Sequence, residues 1–505
     1  MPSPHTENFA VSALAFDQLI LWTFVLAVTL LLLGVYIADI RQKEHAILKN
    51  YPIVGHFRYF LEYLGVFLRQ YFYASDRDEL PFNRAERGWV YRAAKNINNM
   101  VGFGSTRDLH PVGTILFINA PFPPLGHDKV AADELTIGPY CHTPYTTHSF
   151  FNISAMSYGA ISKPAILALS HGARMAGCWL NTGEGGVAPY HLEGGADLIV
   201  QIGTAKYGVR TPDGMLDDQR LRELAALPQV RMFEIKLSQG AKPGKGGILP
   251  GIKVTPEIAT IRGIAPYQDS ISPNRHLDIA NITDLLNVIE HIRAVTGKPV
   301  GCKFVLGSYE WLDDFFSEIH QRGIEQAPDF LTLDSADGGT GAAPMSLVDY
   351  VGLTIEESLP VLIDKLLLYG LRERIKVIAT GKLVTPAEVA WALCIGADFI
   401  NTARGFMFAL GCIQALRCHT DRCPTGITTH DPRLLKGLDP ASKAIRVYNY
   451  AKNMVHEVGV IAQSCGVDDP RQLSRHHARM VTEDGLSIPL SDIYPIPKTN
   501  KTLPV

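Results

Sequence analysis

From about residue 150 onward the chain alternates between two patterns. Short apolar runs end in glycine-rich or polar loops, and between them lie longer stretches with apolar residues at i, i+3 and i+4. The runs are FNISAMS (151–157), CWLNTG (178–183), LIVQIG (198–203), RMFEIKLS (231–238), PVGCKFVLG (299–307), DFLTLDSADGG (329–339), IKVIATG (375–381) and DFINTARG (398–405). Stretches such as ITDLLNVIEHIRAV and TPAEVAWALCIG carry one apolar face, as helices packed outside a sheet do. Eight such units predict an α/β chain folded as a (β/α)8 TIM barrel. A doubly wound sheet is the alternative, but no G-x-G-x-x-G opens a first βα unit.

The first 150 residues follow another pattern. Residues 19–38, LILWTFVLAVTLLLLGVYIA, run 20 positions without a charge, the length a helix needs to cross a bilayer core. They predict a transmembrane helix behind an N-terminal tail, 1–18. That tail has no Lys or Arg, whereas Arg41, Lys43 and Lys49 follow the span, so the positive-inside rule predicts a single-pass membrane protein with its N-terminus outside and its bulk in the cytoplasm. A cleaved signal peptide would carry a basic first segment and a small-x-small cleavage site, and neither is recognised. A buried helix of a soluble protein is the competing reading. Residues 51–73, YPIVGHFRYFLEYLGVFLRQYFY, repeat aromatics and Leu at near-helical spacing. They fit either an interfacial helix or a face packed on the main domain. The expected organisation is a helical N-terminal extension over 39–140, the barrel over 141–440 and a C-terminal extension over 441–505.

Charge and cysteine usage narrow the picture. Lys and Arg total 47 against 50 Asp and Glu, and no basic stripe carries interleaved aromatics, so nucleic acid is not an expected partner. Five of the eight cysteines, Cys141, Cys178, Cys302, Cys394 and Cys465, stand singly in apolar segments. That usage fits a reducing compartment, where clustered thiols bind metal or do redox work more often than they form disulfides.

In a barrel of this kind the chemistry sits at the C-terminal ends of the strands. The residues that fall there are Asn181 to Gly186 (NTGEGG), Gln201, Lys236 to Gly240 (KLSQG), Lys303, Asp337 to Gly341 with Gly338 and Gly339, Gly381, and Thr402 to Gly405. The segment 239–279 is too long for an ordinary βα loop and predicts an active-site loop. With Lys236, Lys242, Lys245, Lys253 and Arg262 it forms either a cationic mouth suited to a dicarboxylate or a solvated run of charge. The loops after the last two strands, ATGKLVTP and NTARGFMF, are placed to bind phosphate through Gly381, Ala403 and Arg404, from a flavin mononucleotide or a sugar phosphate.

The stretch LGCIQALRCHTDRCPTG (410–426) places Cys412, Cys418 and Cys423 within a dozen residues. A closed zinc site wants four ligands, for which His419 is the available fourth. A cuboidal iron–sulfur cluster lacking one iron wants three thiolates, one for each iron. Structural thiols are the third possibility. Cys412 lies seven positions after Gly405, so a phosphate-bound cofactor and a cysteine-bound one would be neighbours. Arg475, His476 and His477 form no motif and read as surface or packing residues.

These motifs, in unbroken order, carry a resemblance. SAMSYGAIS, NTGEGG, EIKLSQGAKPGKGG, DGGTGAAP, LRERIKVIATGKL and ALGCIQALRCHTDRCPTGITTHDPRL resemble the FMN-binding domain of glutamate synthases over roughly residues 140–440. The resemblance implies a barrel carrying FMN and a 3Fe–4S cluster. The activity it implies is reduction of 2-iminoglutarate, formed from 2-oxoglutarate and ammonia, to L-glutamate. By the same resemblance Cys412, Cys418 and Cys423 are the cluster ligands, and Lys236 and Glu184 are catalytic and bind substrate together with Arg262. Gln201 and Lys303 lie near the flavin ring, with Met156 and Ser157 covering it. The chain departs from the pattern at Ile248, where the family has a glutamine, at Val187 to Tyr190 after G-E-G-G, and in the phosphate loop N-T-A-R. No glutamine amidotransferase or NADPH-binding domain is recognised, so ammonia and electrons are expected from a separate donor protein or from membrane quinone. The alternatives are a membrane-associated FMN and iron–sulfur amine or hydroxy-acid oxidoreductase coupled to the quinone pool, and a membrane-anchored assembly subunit with a relic barrel.

Overall fold

The computed structural model describes residues 4–42, 48, 50–73, 75–125 and 132–497. The chain forms two compact units, residues 1–85 and 86–505.

In the first unit a helix, Pro4–Arg41, contains a stretch, Gln18–Arg41, long and apolar enough to cross a membrane, and its apolar residues 19–33 are exposed. A signal sequence near an N-terminus meets the same criterion. Lys43 and Lys49, used above to orient the span, lie outside the described residues. A second helix, Val54–Leu68, exposes Phe57, Phe60, Leu61 and Val66. Its start is tied to the end of the first: Asp39 accepts from the Ile53 N–H at 2.8 Å and pairs with His56 Nε2 at 2.9 Å.

The second unit is built on a closed barrel of eight parallel strands, each paired with its sequence neighbour. They are β1 (Phe151–Ile153), β2 (Leu180–Asn181), β3 (Leu198–Ile202), β4 (Val230–Lys236), β5 (Val300–Val305), β6 (Phe330–Asp334), β7 (Lys376–Thr380) and β8 (Phe399–Thr402). Seven fall inside the apolar runs and β4 starts one residue before its run, because a strand buried on both faces reads as a continuous hydrophobic segment. Closure is made by β8 against β1, with Ile400, Asn401 and Thr402 in register with Phe151, Asn152 and Ile153.

The N-terminal end of the barrel is filled. Trp179, Ile199, Met232, Phe330, Ile378 and Phe399 meet Ile137 and Tyr145 from a hairpin, Leu135–Ile137 with Tyr145–Thr147. Large side chains plug that end and leave the other for polar groups. In the outer ring, helix Pro440–Ser464 packs against Lys163–Ala176 and Pro386–Ile395, the helices that follow β1 and β7. It therefore takes the eighth ring position. A Cβ on Gly172 would come within 2.4 Å of Val447, so glycine sets how closely these helices approach. Strand Ile115–Phe117 pairs with Ala478–Val481, which pairs with Ser487–Pro489, so segments far apart in sequence share one small antiparallel sheet.

The long segment after β4 is ordered. It forms a ribbon, Ile248–Leu249 with Ser270–Ile271, a 3-10 turn Gly251–Lys253 and a helix Pro256–Arg262. That helix begins with a Thr255 side-chain cap and Pro256 in its first turn and ends at Gly263 in the left-handed conformation, the usual start and stop signals.

Candidate active site

Inside the barrel, above the apolar plug, Glu234 is fully buried and gathers three donors. Asn181 Nδ2 and Gln201 Nε2 donate to Oε1 at 2.8 and 2.7 Å, and Thr332 Oγ1 donates to Oε2 at 2.6 Å. Gln201 therefore points inward and is held by a carboxylate that the sequence motifs did not single out.

One layer higher, Lys236 and Lys303 are register partners on β4 and β5. Lys303 Nζ pairs with Asp334 Oδ2 at 3.2 Å, and the Gly240 N–H donates to the same oxygen at 3.1 Å. Burial pulls the Lys303 ammonium down, yet Asp334 and Glu234 hold it above the ordinary lysine value.

Lys236 Nζ pairs with Glu184 Oε1 at 2.9 Å and donates to Gln239 Oε1 at 3.0 Å. Glu184 is wedged between two backbones: a Cβ on Gly203 or on Gly247 would lie 2.5 Å from one of its oxygens. Burial raises the Glu184 carboxyl, but Lys236, Lys242 and Arg262 hold it below the ordinary glutamate value. Lys242 is pulled down to about 8 by burial and by the charge of Lys236, against Glu184. Arg262 donates to Ser270 Oγ at 3.1 Å and to the Tyr158 carbonyl at 3.3 Å, faces the Tyr207 ring at 5.2 Å, and leaves its buried Nε unpartnered. Of the five cations flagged along this region, Lys236, Lys242, Lys253 and Arg262 are buried and Lys245 is exposed. Four buried cations are not a solvated face. Ile248 sits on the ribbon beside Gly247.

The loops after β6, β7 and β8 meet on the far side. Arg404 donates to the Asp337 carbonyl at 3.0 Å and lies across Gly339, where a Cβ would come within 2.8 Å of its Cδ. Lys382 pairs with Asp337 at 2.8 Å. Gly338 and Gly381 both pack on Ser335, and Ala403 directly precedes helix Arg404–Leu410. Gln239 Nε2 donates to the Gly339 carbonyl at 2.8 Å, which joins the Lys236 side to the Arg404 side. Gln239 belongs to the strand-end stretch KLSQG, three residues after Lys236, but the motif assigns it no role. Met156 and Ser157 lie on the loop after β1, against which the Gly183 backbone packs: a Cβ there would be 2.6 Å from Ser157 N, and its φ of 66° also suits glycine.

Cys412, Cys418 and Cys423 lie within electrostatic reach of one another: burial first, then the other two thiols, pushes Cys412 up to about 12. Burial also raises Cys418, whereas Thr425 and Thr428 more than offset burial at Cys423 and lower it. The buried Thr428 hydroxyl lies beside both Cys418 and Cys423. Between the first and last cysteine, Gln414, Leu416 and Asp421 hold left-handed backbone at φ of 58°, 54° and 59°. Such strain costs about 1–3 kcal/mol per residue and persists where the surroundings impose it. Among the described residues no three His, Cys, Asp or Glu side chains converge as they would around one metal ion. A cuboidal cluster would take each thiolate on a different iron, so its ligands need not converge on one point as those of a zinc ion do. His419 is exposed.

Residues 130–468 match the family model described as the conserved region in glutamate synthase. The chain is 39% identical over 509 residues to the glutamate synthase large subunit-like protein YerD of Bacillus subtilis, covering 93% of this chain and 96% of that one. The chain belongs to the glutamate synthase family. It is 35% identical to the archaeal-type glutamate synthase [NADPH] of Thermotoga maritima over 62% of this chain and 59% of that one. With the archaeal glutamate synthase [NADPH] of Methanocaldococcus jannaschii the identity is 36%, over 65% and 61%. The chain thus spans about three fifths of these two enzymes' length. As a glutamate synthase family member it is an oxidoreductase of the class acting on CH–NH2 donors. The family's matched region contains the whole barrel and the cysteine segment.

Proposed function

We propose that the chain reduces 2-iminoglutarate, formed from 2-oxoglutarate and ammonia, to L-glutamate at the C-terminal mouth of the barrel. The observation that carries this reading is the charge around Glu184. Lys236, Lys242 and Arg262 act on this one carboxylate, which leaves two positive charges in excess in a buried setting where charge interactions are strong. A dicarboxylate supplies the missing two negative charges. The free buried Nε of Arg262 is a donor without a use in the protein alone, and a guanidinium fork suits a carboxylate.

In this reading Arg262 binds a substrate carboxylate. Lys236, held in place by Glu184 and Gln239, polarises the oxo or imino group. Glu184 holds that ammonium in place and manages the proton exchanged with it. Preorganised charge of this kind stabilises the transition state without reorganisation.

The donor set also fits the two cofactors of the family. Gln201 and Lys303, with Met156 and Ser157 on the loop after β1, would hold the ring of FMN, and Gly338, Gly339, Gly381, Ala403 and Arg404 its phosphate. Cys412, Cys418 and Cys423 would hold a 3Fe–4S cluster. When bound, FMN supplies the hydride and the cluster supplies single electrons. Lys303, held charged by Asp334 and Glu234, would favour negative charge on the ring beside it. We assign residues 19–38 as a membrane anchor with the barrel in the cytoplasm, 39–140 as an extension of the 141–440 barrel domain, 441–505 as an extension whose helix Pro440–Ser464 completes the barrel's outer ring, and the electron source as a donor protein or membrane quinone.

The test is anaerobic turnover of reconstituted protein with a chemical electron donor, 2-oxoglutarate and ammonium. Formation of L-glutamate is expected, and its absence from flavin- and iron-loaded protein overturns the reading. The candidate span Gln18–Arg41 favours a second reading, an amine or hydroxy-acid oxidoreductase exchanging electrons with quinone. Reoxidation of the reduced protein by a quinone analogue, compared with 2-oxoglutarate plus ammonium, separates the two.

A further inference from the structure

Three consecutive carbonyls of the loop after β1 are each taken by a donor from another segment. Tyr158 O accepts from Arg262 at 3.3 Å, Gly159 O from His430 Nε2 at 2.9 Å and Ala160 O from Lys253 Nζ at 2.7 Å. The same Lys253 ammonium donates to the Cys418 carbonyl at 3.3 Å. Lys253 thus stands between the loop that carries Met156 and Ser157 and the loop that carries the cysteines.

Its charge has no obvious owner. Lys253 is 2% exposed, and among the described residues no carboxylate lies within ion-pairing distance of it. Asp421 is in electrostatic reach, but its Oδ1 already accepts from the His430 N–H at 2.8 Å. The other groups whose negative charge, once ionised, would act on Lys253 are the sulfurs of Cys418 and Cys423. The turn that carries it, Gly251–Lys253, is fixed by a Gly251 N–H to Asp269 bond at 2.6 Å and a Lys253 N–H to Pro250 bond at 2.8 Å. A buried cation without a paired anion is strongly unfavourable, so the fold has reason to place a negative centre beside it.

We propose that Lys253 is a positioning residue for the cysteine centre: its ammonium is the counter-charge of the cluster held by Cys412, Cys418 and Cys423, and it ties the Cys418 backbone to the loop after β1. The proposal rests on the iron–sulfur reading of those cysteines. Cluster potentials respond to local charge and hydrogen bonding, and a fixed cation favours the more negative, reduced state.

The experiment uses anaerobically purified full-length protein, wild type, Lys253→Gln and Lys253→Arg, with iron quantified and the cluster titrated potentiometrically by electron paramagnetic resonance. Lys253→Gln is expected to keep its iron and to titrate at lower potential, with the reduced-to-oxidised ratio at a fixed potential falling about tenfold, equivalent to about 59 mV for one electron. Lys253→Arg is expected to titrate near wild type. Iron lost from Lys253→Gln and restored in Lys253→Arg also supports a charge role. A fully loaded Lys253→Gln protein with the wild-type potential overturns the proposal, as does equal iron loss in both variants, which would mean packing alone. Wild-type protein without iron overturns the reading of the cysteines instead.

Discussion

Lys236 Nζ lies 2.9 Å from Glu184 Oε1, on a carboxylate that two glycine backbones hold in place. The pair joins the loop after β2 to the end of β4, and Lys242 and Arg262 act on the same carboxylate. Both side chains are largely buried, so neither is replaceable at the cost of a surface ion pair.

Glu184→Gln removes the charge that holds Lys236 and the group assigned to proton management. Glutamate formation is expected to fall about 100-fold in kcat, the low end of acid–base contributions. Dicarboxylate affinity, measured by titration calorimetry with 2-oxoglutarate, is expected to stay level or tighten, because the pocket becomes more positive. Weaker binding with unchanged kcat would contradict the assignment.

The proposed dicarboxylate site should weaken in alkaline buffer. Lys242 is pulled down to about 8 in the unliganded protein, whereas an ordinary lysine stays charged to about 10.5. As pH rises through 8 the free protein loses this cation, and affinity for 2-oxoglutarate is expected to fall up to about tenfold per pH unit in that limb. In Lys242→Met the affinity is lower at neutral pH and the alkaline fall disappears. Binding curves at pH 6.5 to 9.5 check both.

Glu388 provides a pH-dependent contribution to stability away from the mouth. It is half-buried in the N-terminal cap of helix Pro386–Ile395, accepting from the Val384 and Thr385 N–H groups at 2.7 and 2.8 Å. Burial, then the charge of Glu86, pushes it up to about 7. A raised carboxyl binds its proton more tightly in the folded state, so its contribution is fully present below pH 4.5 and is lost as pH rises through 7. Across that window wild type is expected to lose up to about 3 kcal/mol relative to Glu388→Gln. Thermal melts of both proteins at pH 5 and pH 8 read this directly; parallel curves would refute it.

Replacement of Cys412, Cys418 or Cys423 by Ser, one at a time, is expected to remove most of the iron while the flavin and the far-ultraviolet circular dichroism remain. Cys302→Ser, at a buried thiol on β5 away from the cluster segment, is expected to leave the iron in place. Iron retained in all three loop variants would exclude them as ligands.

The eight strands, the long cationic loop and the cysteine triplet were legible along the chain. Buried parallel strands leave runs such as LIVQI and FLTLD, and helix stops leave glycines such as Gly177 and Gly263. Glu234 was not legible: in the run RMFEIK it is one of three charged residues, and it becomes a hub only when Asn181, Gln201 and Thr332 arrive from three other strands. The same holds for the plug at the other end, where Ile137 and Tyr145 come from a hairpin that local pattern does not mark. The small sheet formed by residues 115–117, 478–481 and 487–489 depends on segments more than 360 residues apart.

Periodicity, glycine placement and residue chemistry act over a few neighbouring positions, and by themselves they determined the barrel, its helices and the set of groups available for catalysis. Which charges face one another is a different kind of information, because a lysine pattern looks the same whether its ammonium meets water, a carboxylate or a cysteine loop. Only the folded chain decided that Lys245 stays outside while Lys236 meets Glu184 and Lys253 meets the Cys418 backbone, since each of those choices depends on burial and on partners brought in from distant segments.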